Sequence, residues 1–290
     1  MLPLALVIAV GAVAVAAEAA AAGEPDSVTF GEPSSRVGDI VRQSVQVGLS
    51  LESKLRRGAE VLEEENRRVE RAQRRTVTAT ALDSGRVTAA QVVFAESHAQ
   101  IVDGPKAGAR DDDPVVGKTY LCWREGDELR VTLPDGKLPP LDEYAVVARA
   151  MRTLGTPSPL AAHLAGRTVR VGEKLELPSA VAQQALGFDK EMGEVVDFEL
   201  ELKAIDEAGG ARLARFDARI EAVGAGAEQM RLFIAGRFVL DEAQCRVTSA
   251  DLSGPIAMSS LRGPSSQGYQ MDARGKMRLR VAAEHTDAPR

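Results

Sequence analysis

Histidine is scarce in this chain, and its spacing does not fit a metal centre. The three histidines are His98, His163 and His285, and none of them forms a His-x-His or His-Glu-x-x-His pattern. A lone histidine could serve as a general base, but only beside a partner that spacing does not identify. We therefore predict no metal site, no catalytic residue and no enzymatic activity.

Carboxylates and glycines likewise lack the spacing of a ligand or cofactor site. Asp111-Asp112-Asp113 gathers three carboxylates, yet a calcium loop needs spaced ligands and a closing glutamate, so we interpret it as a solvated acidic loop. The chain has no Gly-x-Ser-x-Gly turn and no glycine-rich phosphate loop after a predicted strand. The sequence thus predicts no cofactor.

The most basic segment of the chain also carries many acids. Its charged residues include Arg67, Arg68, Arg71, Arg74, Arg75, Glu63, Glu64, Glu65 and Glu70. Net positive charge and interleaved aromatic rings are typical of nucleic-acid binding, whereas this segment has no aromatic ring and the whole chain has a formal net charge of −6. We predict no binding of nucleic acid, and a contact with an acidic envelope protein stays open.

Trp123 is the single tryptophan and a candidate ligand contact. The two-residue period of its predicted strand places Leu121 and Trp123 on one face, and Tyr120 and Cys122 on the other. The indole ring either packs in the core or lines a ligand site.

A second candidate surface is a strand that is apolar on both faces. Leu232-Phe233-Ile234 and Phe238-Val239-Leu240 break the alternation of apolar and polar residues. We expect helices to cover the second face of this strand. The sequence-based candidates for ligand-lining residues are therefore Trp123, Leu232, Ile234 and Phe238.

The start of the chain predicts export. Leu2–Ala17 is an unbroken run of apolar or small residues, Glu18 is the first charge, and the small residues at 19–23 fit a signal-peptide cleavage site. The run has about 15 residues, fewer than the roughly 20 of a membrane span. We predict a signal peptide at 1–22, a linker at 23–36, and a periplasmic or extracellular mature chain without a membrane span. The alternative is an uncleaved N-terminal anchor.

Export bears on the two cysteines, Cys122 and Cys245, because oxidising compartments permit disulfides. If their strands are neighbours, a bridge would close a loop of roughly 120 residues and stabilise the fold by up to about 4–5 kcal/mol. The alternative is a pair of buried free thiols.

The elements that must position these residues follow the order strands, helices, strands. Apolar and polar residues alternate clearly at 45–51, 198–204, 216–221 and 276–281. Helices are expected in an insert at about 139–187, where apolar spacing changes to three and four residues. We predict an α+β fold with one large curved antiparallel sheet, a half-barrel with a few helices on its concave face. It forms a single domain at 37–284, followed by a frayed tail at 285–290.

The segment Glu60–Arg75 fits two structures. Glutamate and arginine recur four residues apart, which supports a helix, but there are too few apolar residues for a buried helical stripe. A charged strand that pairs with the strand before it is the competitor. We favour the strand because Thr76–Thr80 continues it with β-branched residues.

Two motifs in the last 125 or so residues carry a resemblance. Val169-Arg170-Val171-Gly172-Glu173-Lys174-Leu175 is similar to a V-x-V-G-D-x-W segment that begins a C-terminal sheet, with Leu175 in place of the tryptophan. The segment Phe238–Asp241, followed by Val247 and Leu252-Ser253-Gly254, is similar to a repeated hairpin of the same family. The chain thus resembles a family of bacterial exported proteins and, in its order of elements, the exported half-barrel proteins that include lipoprotein carriers.

This resemblance implies a fold and no activity. We expect an exported, non-enzymatic protein that binds a lipid or another apolar ligand. The alternative is a structural or protein-interaction module of the cell envelope.

Overall fold

The computed structural model describes residues 26–186, 193–224, 228–262 and 268–288. The predicted signal peptide at 1–22 lies outside these residues. Within them the chain forms fourteen strands and three short helices. The strands are β1 (Ser27–Thr29), β2 (Ile40–Arg57), β3 (Glu60–Asp83), β4 (Arg86–Asp103), β5 (Arg110–Asp112), β6 (Thr119–Glu125), β7 (Glu128–Thr132), β8 (Thr168–Arg170), β9 (Lys174–Glu176), β10 (Glu194–Ala208), β11 (Ala211–Val223), β12 (Glu228–Asp241), β13 (Arg246–Arg262) and β14 (Tyr269–Thr286). The helices are α1 (Leu141–Ala150), α2 (Pro159–Leu164) and α3 (Ser179–Leu186).

Twelve of the described strands form one open antiparallel sheet. Its order is β7-β6-β4-β3-β2-β14-β13-β12-β11-β10-β9, with β5 paired to β4. The sheet joins the two ends of the sequence at its centre, where β14 pairs with β2 over eighteen residue pairs. The predicted α+β fold with one large antiparallel sheet is confirmed.

The alternation of residue types explains why the long strands form. On β14, Met277, Leu279 and Val281 are buried while the residues between them are exposed. One face of the sheet therefore carries the apolar side chains, and we call it the inner face. The opposite, charged face is the outer face.

The ambiguous segment Glu60–Arg75 is a strand throughout. It forms most of β3 and pairs with β2 from Ile40↔Thr78 to Arg57↔Glu60. Its charges meet partners across the ladder, as where Lys54 lies 3.0 Å from Glu64. Cross-strand pairing thus satisfies charges whose spacing would also have suited a helix.

Two hydrophobic cores lie on the inner face. The C-terminal core covers β10 to β14 with α2, α3, β1 and β8, and includes Phe198, Phe216, Leu232 and Leu240. The N-terminal core lies between α1 and the strands β4, β6 and β7; its members include Val92, Phe94, Tyr120, Val131 and Val147. Between the two cores run β2 and β3.

The folded body extends further than the sequence indicates. Residues 26–36 fall in the predicted linker, yet β1 pairs with β8, and Phe30 is buried against Phe216 with ring centroids 6.2 Å apart. At the other end β14 continues to Thr286, and the backbone N–H of Ala288 donates to Asp39. Apolar side chains and a buried acceptor hold these segments in place, which composition alone did not reveal.

Candidate functional site

The sequence-based candidates on β12 belong to the C-terminal core. Leu232, Ile234 and Phe238 are buried on the inner face, and the Phe238 ring meets the edge of Phe198 at 6.3 Å between centroids. On the second face of β12, Phe233 is 37% exposed and lies under the guanidinium of Arg219, and none of the three described helices covers it. The expected helical cover is therefore wrong, and the ligand-lining role of these residues stays a prediction.

Trp123 and the cysteines lie apart from one another. Tyr120 and Cys122 are buried on the inner face in the N-terminal core, so the alternation of β6 puts Trp123 on the outer face, half-buried. Cys122 and Cys245 are free thiols in different cores, so of the two alternatives the structure has the pair of buried free thiols and not the disulfide. Burial raises the pKa of each thiol to about 12, which keeps both sulfurs protonated and unreactive.

The inner face between the cores carries a continuous chain of polar side chains, which we call the polar chain. Its members are Gln43, Arg71, Gln73, Arg75, Ser97 and Asp113. The register Val45↔Gln73 and Gln43↔Arg75 places β3 residues opposite inward-facing residues of β2. Polar side chains thus occupy positions that hold core residues elsewhere on the same sheet face.

Arg75 is the most deeply buried charge of the polar chain, with 7% of the residue exposed. Its Nε and Nη2 donate to Oε1 of Gln43 at 3.0 and 2.6 Å, and its Nη1 donates to Oε1 of Gln73 at 3.2 Å. Burial lowers the pKa of Arg75 to about 10, so the guanidinium remains charged at neutral pH.

The other end of the polar chain is neutralised. The side-chain amide of Gln73 donates to Ser97 Oγ at 3.1 Å, and Ser97 donates to Asp113 Oδ2 at 2.5 Å. Arg71 pairs with the same carboxylate oxygen at 3.2 Å. Asp113 is therefore the counter-ion of Arg71, whereas the acceptors of Arg75 among the described residues are the amide oxygens of Gln43 and Gln73.

An apolar stripe runs beside the polar chain along β2. Its members are the half-buried residues Val45, Val47, Leu49 and Leu51, which pack against the edge of the C-terminal core. Across the ladder, Val47 is opposite Arg71 and Leu51 is opposite Arg67. The inner face at the sheet centre is therefore amphipathic, with apolar side chains on β2 and cationic side chains on β3.

A cavity of about 90 Å³ lies at one end of the polar chain. Its floor includes Val41, Gln43, Arg75 and Val77, and its roof consists of Ala150 at the end of α1 and of residues 151 and 153–158 in the connection from α1 to α2. About 10–15 Å³ of such space holds one water molecule, so the cavity has room for several waters or for a small polar group.

Arg124 and Glu143 hold the roof of this cavity. Arg124 donates from Nε to the carbonyl of Leu154 at 2.6 Å and from Nη2 to the carbonyl of Arg152. Glu143 on α1 is buried and accepts from Lys118 Nζ and Tyr120 Oη, both at 2.6 Å. These contacts tie α1 and the connection after it to β6.

In the described part of the chain no group of three or more histidine, cysteine, aspartate or glutamate side chains could hold a metal ion. Among the same residues no helix combines the length and the apolar character needed to cross a membrane.

The sequence pattern did not identify Arg75 and its neighbours as site residues, because Glu60–Arg75 was interpreted as a charged strand facing solvent. A signal was present: residues 67, 69, 71, 73, 75 and 77 share one strand face, and Val69 and Val77 mark that face as inward. The alternation of residue types along β3 does not indicate that residues 150–158 cover Arg75.

Comparison with known proteins gives only weak likenesses of fold. No protein-family model matches the chain, and no curated protein matches it. A lipovitellin structure described for its lipid–protein interactions has a TM-score of 0.36 at 7% identity, covering 88% of this chain and 26% of that one. The chain thus spans about a quarter of the lipovitellin chain.

Two bacterial structures are weaker matches. The outer membrane protein OprG from Pseudomonas aeruginosa has a TM-score of 0.16 at 6% identity, covering 88% of this chain and 98% of that one. A LolA superfamily protein from Nitrosomonas europaea has a TM-score of 0.13 at 11% identity, covering 90% of each chain. All three TM-scores lie below 0.5, so these structures assign neither a family nor a role to the chain.

Proposed function

We propose that this is an exported, non-enzymatic protein that binds a lipid or another apolar small molecule on the inner face of its sheet. The observation that carries the proposal is the half-buried apolar stripe of β2, which lies between two closed cores. A sheet centre built only for stability would be packed as tightly as its flanks. Support for export comes from the apolar run at the N-terminus.

The apolar stripe has the dimensions of a lipid chain. Val45 and Leu51 are six residues apart, which is about 20 Å along a strand. The acyl chains of one leaflet span about 15 Å, half of a hydrocarbon core of roughly 30 Å. A single extended chain could therefore lie along β2 and cover the side chains that the cores leave half-buried.

Purification of the protein under native conditions, followed by mass spectrometry of its extracted small molecules, tests the proposal. We expect a co-purifying lipid, or displacement of a fluorescent apolar dye by added lipid. Leu49→Glu should weaken dye binding about tenfold or more, because it places a charge in the apolar stripe.

Ser50→Glu is the matched control, because Ser50 is the next residue of β2 and faces outward. Circular dichroism would establish that both variants keep the sheet. Ligand binding on the inner face is refuted if no lipid co-purifies and the dye binds neither wild type nor variant. Equal binding by Leu49→Glu and wild type would place the site elsewhere.

A second candidate function is a protein-interaction module of the envelope. The observation that favours it is a group of exposed apolar residues at one end of the sheet, comprising Val61, Leu62, Leu261, Tyr269 and Met271. The ladder places them at the same end of the sheet but on both of its faces. Tyr269 and Met271 continue the inner face of β14, whereas Leu261 pairs with Gln270 on the outer face. Exposed apolar groups of this kind commonly mark contact surfaces.

The double variant Val61→Asp and Leu62→Asp separates the two functions. An interaction module should lose a cross-linked envelope partner in this variant while its sheet stays folded. A ligand-binding protein should keep its affinity for the apolar dye, because both positions are remote from the polar chain. An unchanged cross-linking pattern would argue against the interaction module.

A further inference from the structure

We propose that the ligand is an acidic amphiphile whose head group binds Arg75 and Gln43, an inference that rests on ligand binding at the inner face. The class is a single aliphatic chain that ends in a carboxylate or a phosphate. The anionic head would occupy the cavity beneath residues 150–158, and the chain would follow the apolar stripe.

The first argument is that Arg75 has no counter-ion. Within 26–186, 193–224, 228–262 and 268–288, no carboxylate lies within 4.0 Å of its guanidinium. A buried charge without a counter-ion is costly, because desolvation is not offset by ion pairing. An apolar side chain at position 75 would be buried there at a lower free-energy cost than a guanidinium. The presence of Arg75 at this position therefore fits a negatively charged group from outside the chain.

The second argument is that two nearby carboxylates have other partners: Asp39, which lines the cavity, and Asp113, at the far end of the polar chain. Asp113 accepts from Arg71 and Ser97. Asp39 accepts from the backbone N–H groups of Arg36 and Ala288. Moving either of these carboxylates to Arg75 would break two existing hydrogen bonds, so a protein acid is a poor substitute for a ligand.

A third, independent argument comes from Gln43. This residue is 3% exposed and lines the cavity, and in the described part of the chain its side-chain nitrogen has no hydrogen-bond partner. Its oxygen is occupied by Arg75, which fixes the amide orientation. An unsatisfied buried donor beside the cavity calls for an acceptor there.

Together these groups form a site for an anion with two or more oxygens. Three of the five N–H groups of Arg75 donate to Gln43 and Gln73. Two guanidinium N–H groups and the Gln43 amide therefore remain as donors. Carboxylate and phosphate oxygens are the acceptors that such a fork binds best, through paired charge-assisted hydrogen bonds.

The cavity and the apolar stripe are placed in sequence along β2. Gln43 lines the cavity, and Val45 follows it on the same face of the strand as the first residue of the apolar stripe. A molecule with its head at Arg75 would thus direct its chain toward Leu51. A neutral hydroxyl head could accept a hydrogen bond from Arg75 or Gln43 but would leave the buried charge of Arg75 without a counter-ion.

Head-group selectivity tests this inference. The delipidated protein is titrated with palmitic acid, hexadecyl phosphate and hexadecanol, and their affinities are measured by displacement of the apolar dye. We expect the wild type to bind at least one of the two acids about tenfold or more tightly than the alcohol. The acid that binds more tightly identifies the head group as carboxylate or phosphate.

Substitutions then assign the selectivity to this site. Arg75→Met should abolish the preference for the acid while affinity for hexadecanol is kept, and Gln43→Leu should reduce the preference in part. Arg74→Met is the matched control, because Arg74 is the preceding residue and its side chain is exposed on the outer face. It should leave all three affinities unchanged. Thermal melts of each variant establish that it is folded.

The outcomes separate this inference from the proposed function. If none of the three compounds binds to wild type, the proposed function fails. If all three bind with equal affinity, ligand binding stands and the acidic head group is refuted. If wild type prefers the acid and folded Arg75→Met keeps that preference, the assignment to Arg75 is refuted.

Discussion

The C-terminal and N-terminal parts of the large sheet pack their inner faces differently. The C-terminal side fills its inner face with Phe, Leu, Ile and Ala and covers it with two helices and a two-stranded sheet. The N-terminal side has a smaller core under α1, and its inner face toward the centre carries glutamines, arginines and a cavity. The comparison separates a region built for stability from one that gives up apolar burial at the positions where we propose binding.

The largest expected difference between the regions is in the cost of a truncated leucine. Leu240→Ala in the C-terminal core should lower the free energy of unfolding by about 4–5 kcal/mol, and Leu154→Ala beside the cavity by about 2–3 kcal/mol. Leu240 is enclosed on all sides, whereas the surroundings of Leu154 can relax into existing space. Urea unfolding measures both values, and equal losses would contradict the comparison.

The second prediction concerns pH and the end of β14. Burial, followed by the nearby positive charge of Arg246, lowers the pKa of His285 from 6.5 to about 4; Asp39 and Asp287 oppose this shift. The neutral imidazole is the folded form, so its stabilisation is complete above pH 6.5 and is lost as the pH falls toward 4. The unfolded chain binds the additional proton in this window, and the loss amounts to about 3 kcal/mol.

Urea unfolding between pH 7 and pH 4 measures this loss. His285→Gln is the control, because a neutral side chain removes the titrating group from both states. The variant should show a shallower fall in stability over the same window. If wild type and variant follow parallel curves, His285 does not contribute to the acid sensitivity.

A smaller effect is expected where α1 joins the N-terminal core. Glu143→Gln should cost about 1–3 kcal/mol, because the buried hydroxyl of Tyr120 and the amine of Lys118 lose a charged acceptor. Asp142→Asn is the matched control on the exposed face of the same helix turn, and its cost should be close to zero. Thermal melts that show equal effects for both variants would mean that the buried carboxylate does not hold α1.

The stabilisation that Glu143 provides depends on pH. Burial opposes ionisation, but the hydrogen bonds from Lys118 and Tyr120 outweigh it and hold the pKa of Glu143 below its ordinary value. Its contribution to the free energy of unfolding is therefore complete above the ordinary pKa of glutamate and is lost as the pH falls from there through the lower pKa of the folded state.

The smallest effect is expected on the outer face. Arg278 donates to both carboxylate oxygens of Asp251, at 3.0 and 2.7 Å, but both side chains are about half exposed. Water competes for such pairs, so Arg278→Ala should leave the urea midpoint almost unchanged. A urea midpoint that shifts as much as that of Leu154→Ala would show that the outer face contributes to stability as the cores do.

The sequence predicted the sheet well because its signal is local. Alternation at Met277, Leu279 and Val281 follows directly from the two faces of a strand, and Ser158 caps α2 as its position before Pro159 indicates. The pairing of β14 with β2 brings together residues more than two hundred positions apart, and no local pattern encodes it. Arg75 illustrates the same limit, since its burial depends on a connection some eighty residues later in the chain.

The stability of Arg75→Met tests the central claim most directly, because a charge kept for a ligand should not be needed for the fold. Urea unfolding at pH 7 without ligand should give Arg75→Met a free energy of unfolding within about 1 kcal/mol of that of wild type or above it, since the removal of a buried charge without a counter-ion offsets the loss of its hydrogen bonds to Gln43 and Gln73. Arg74→Met should match wild type. A loss of several kcal/mol in Arg75→Met alone would show that the guanidinium holds the sheet together, and would contradict its role as a receptor for an anionic head group.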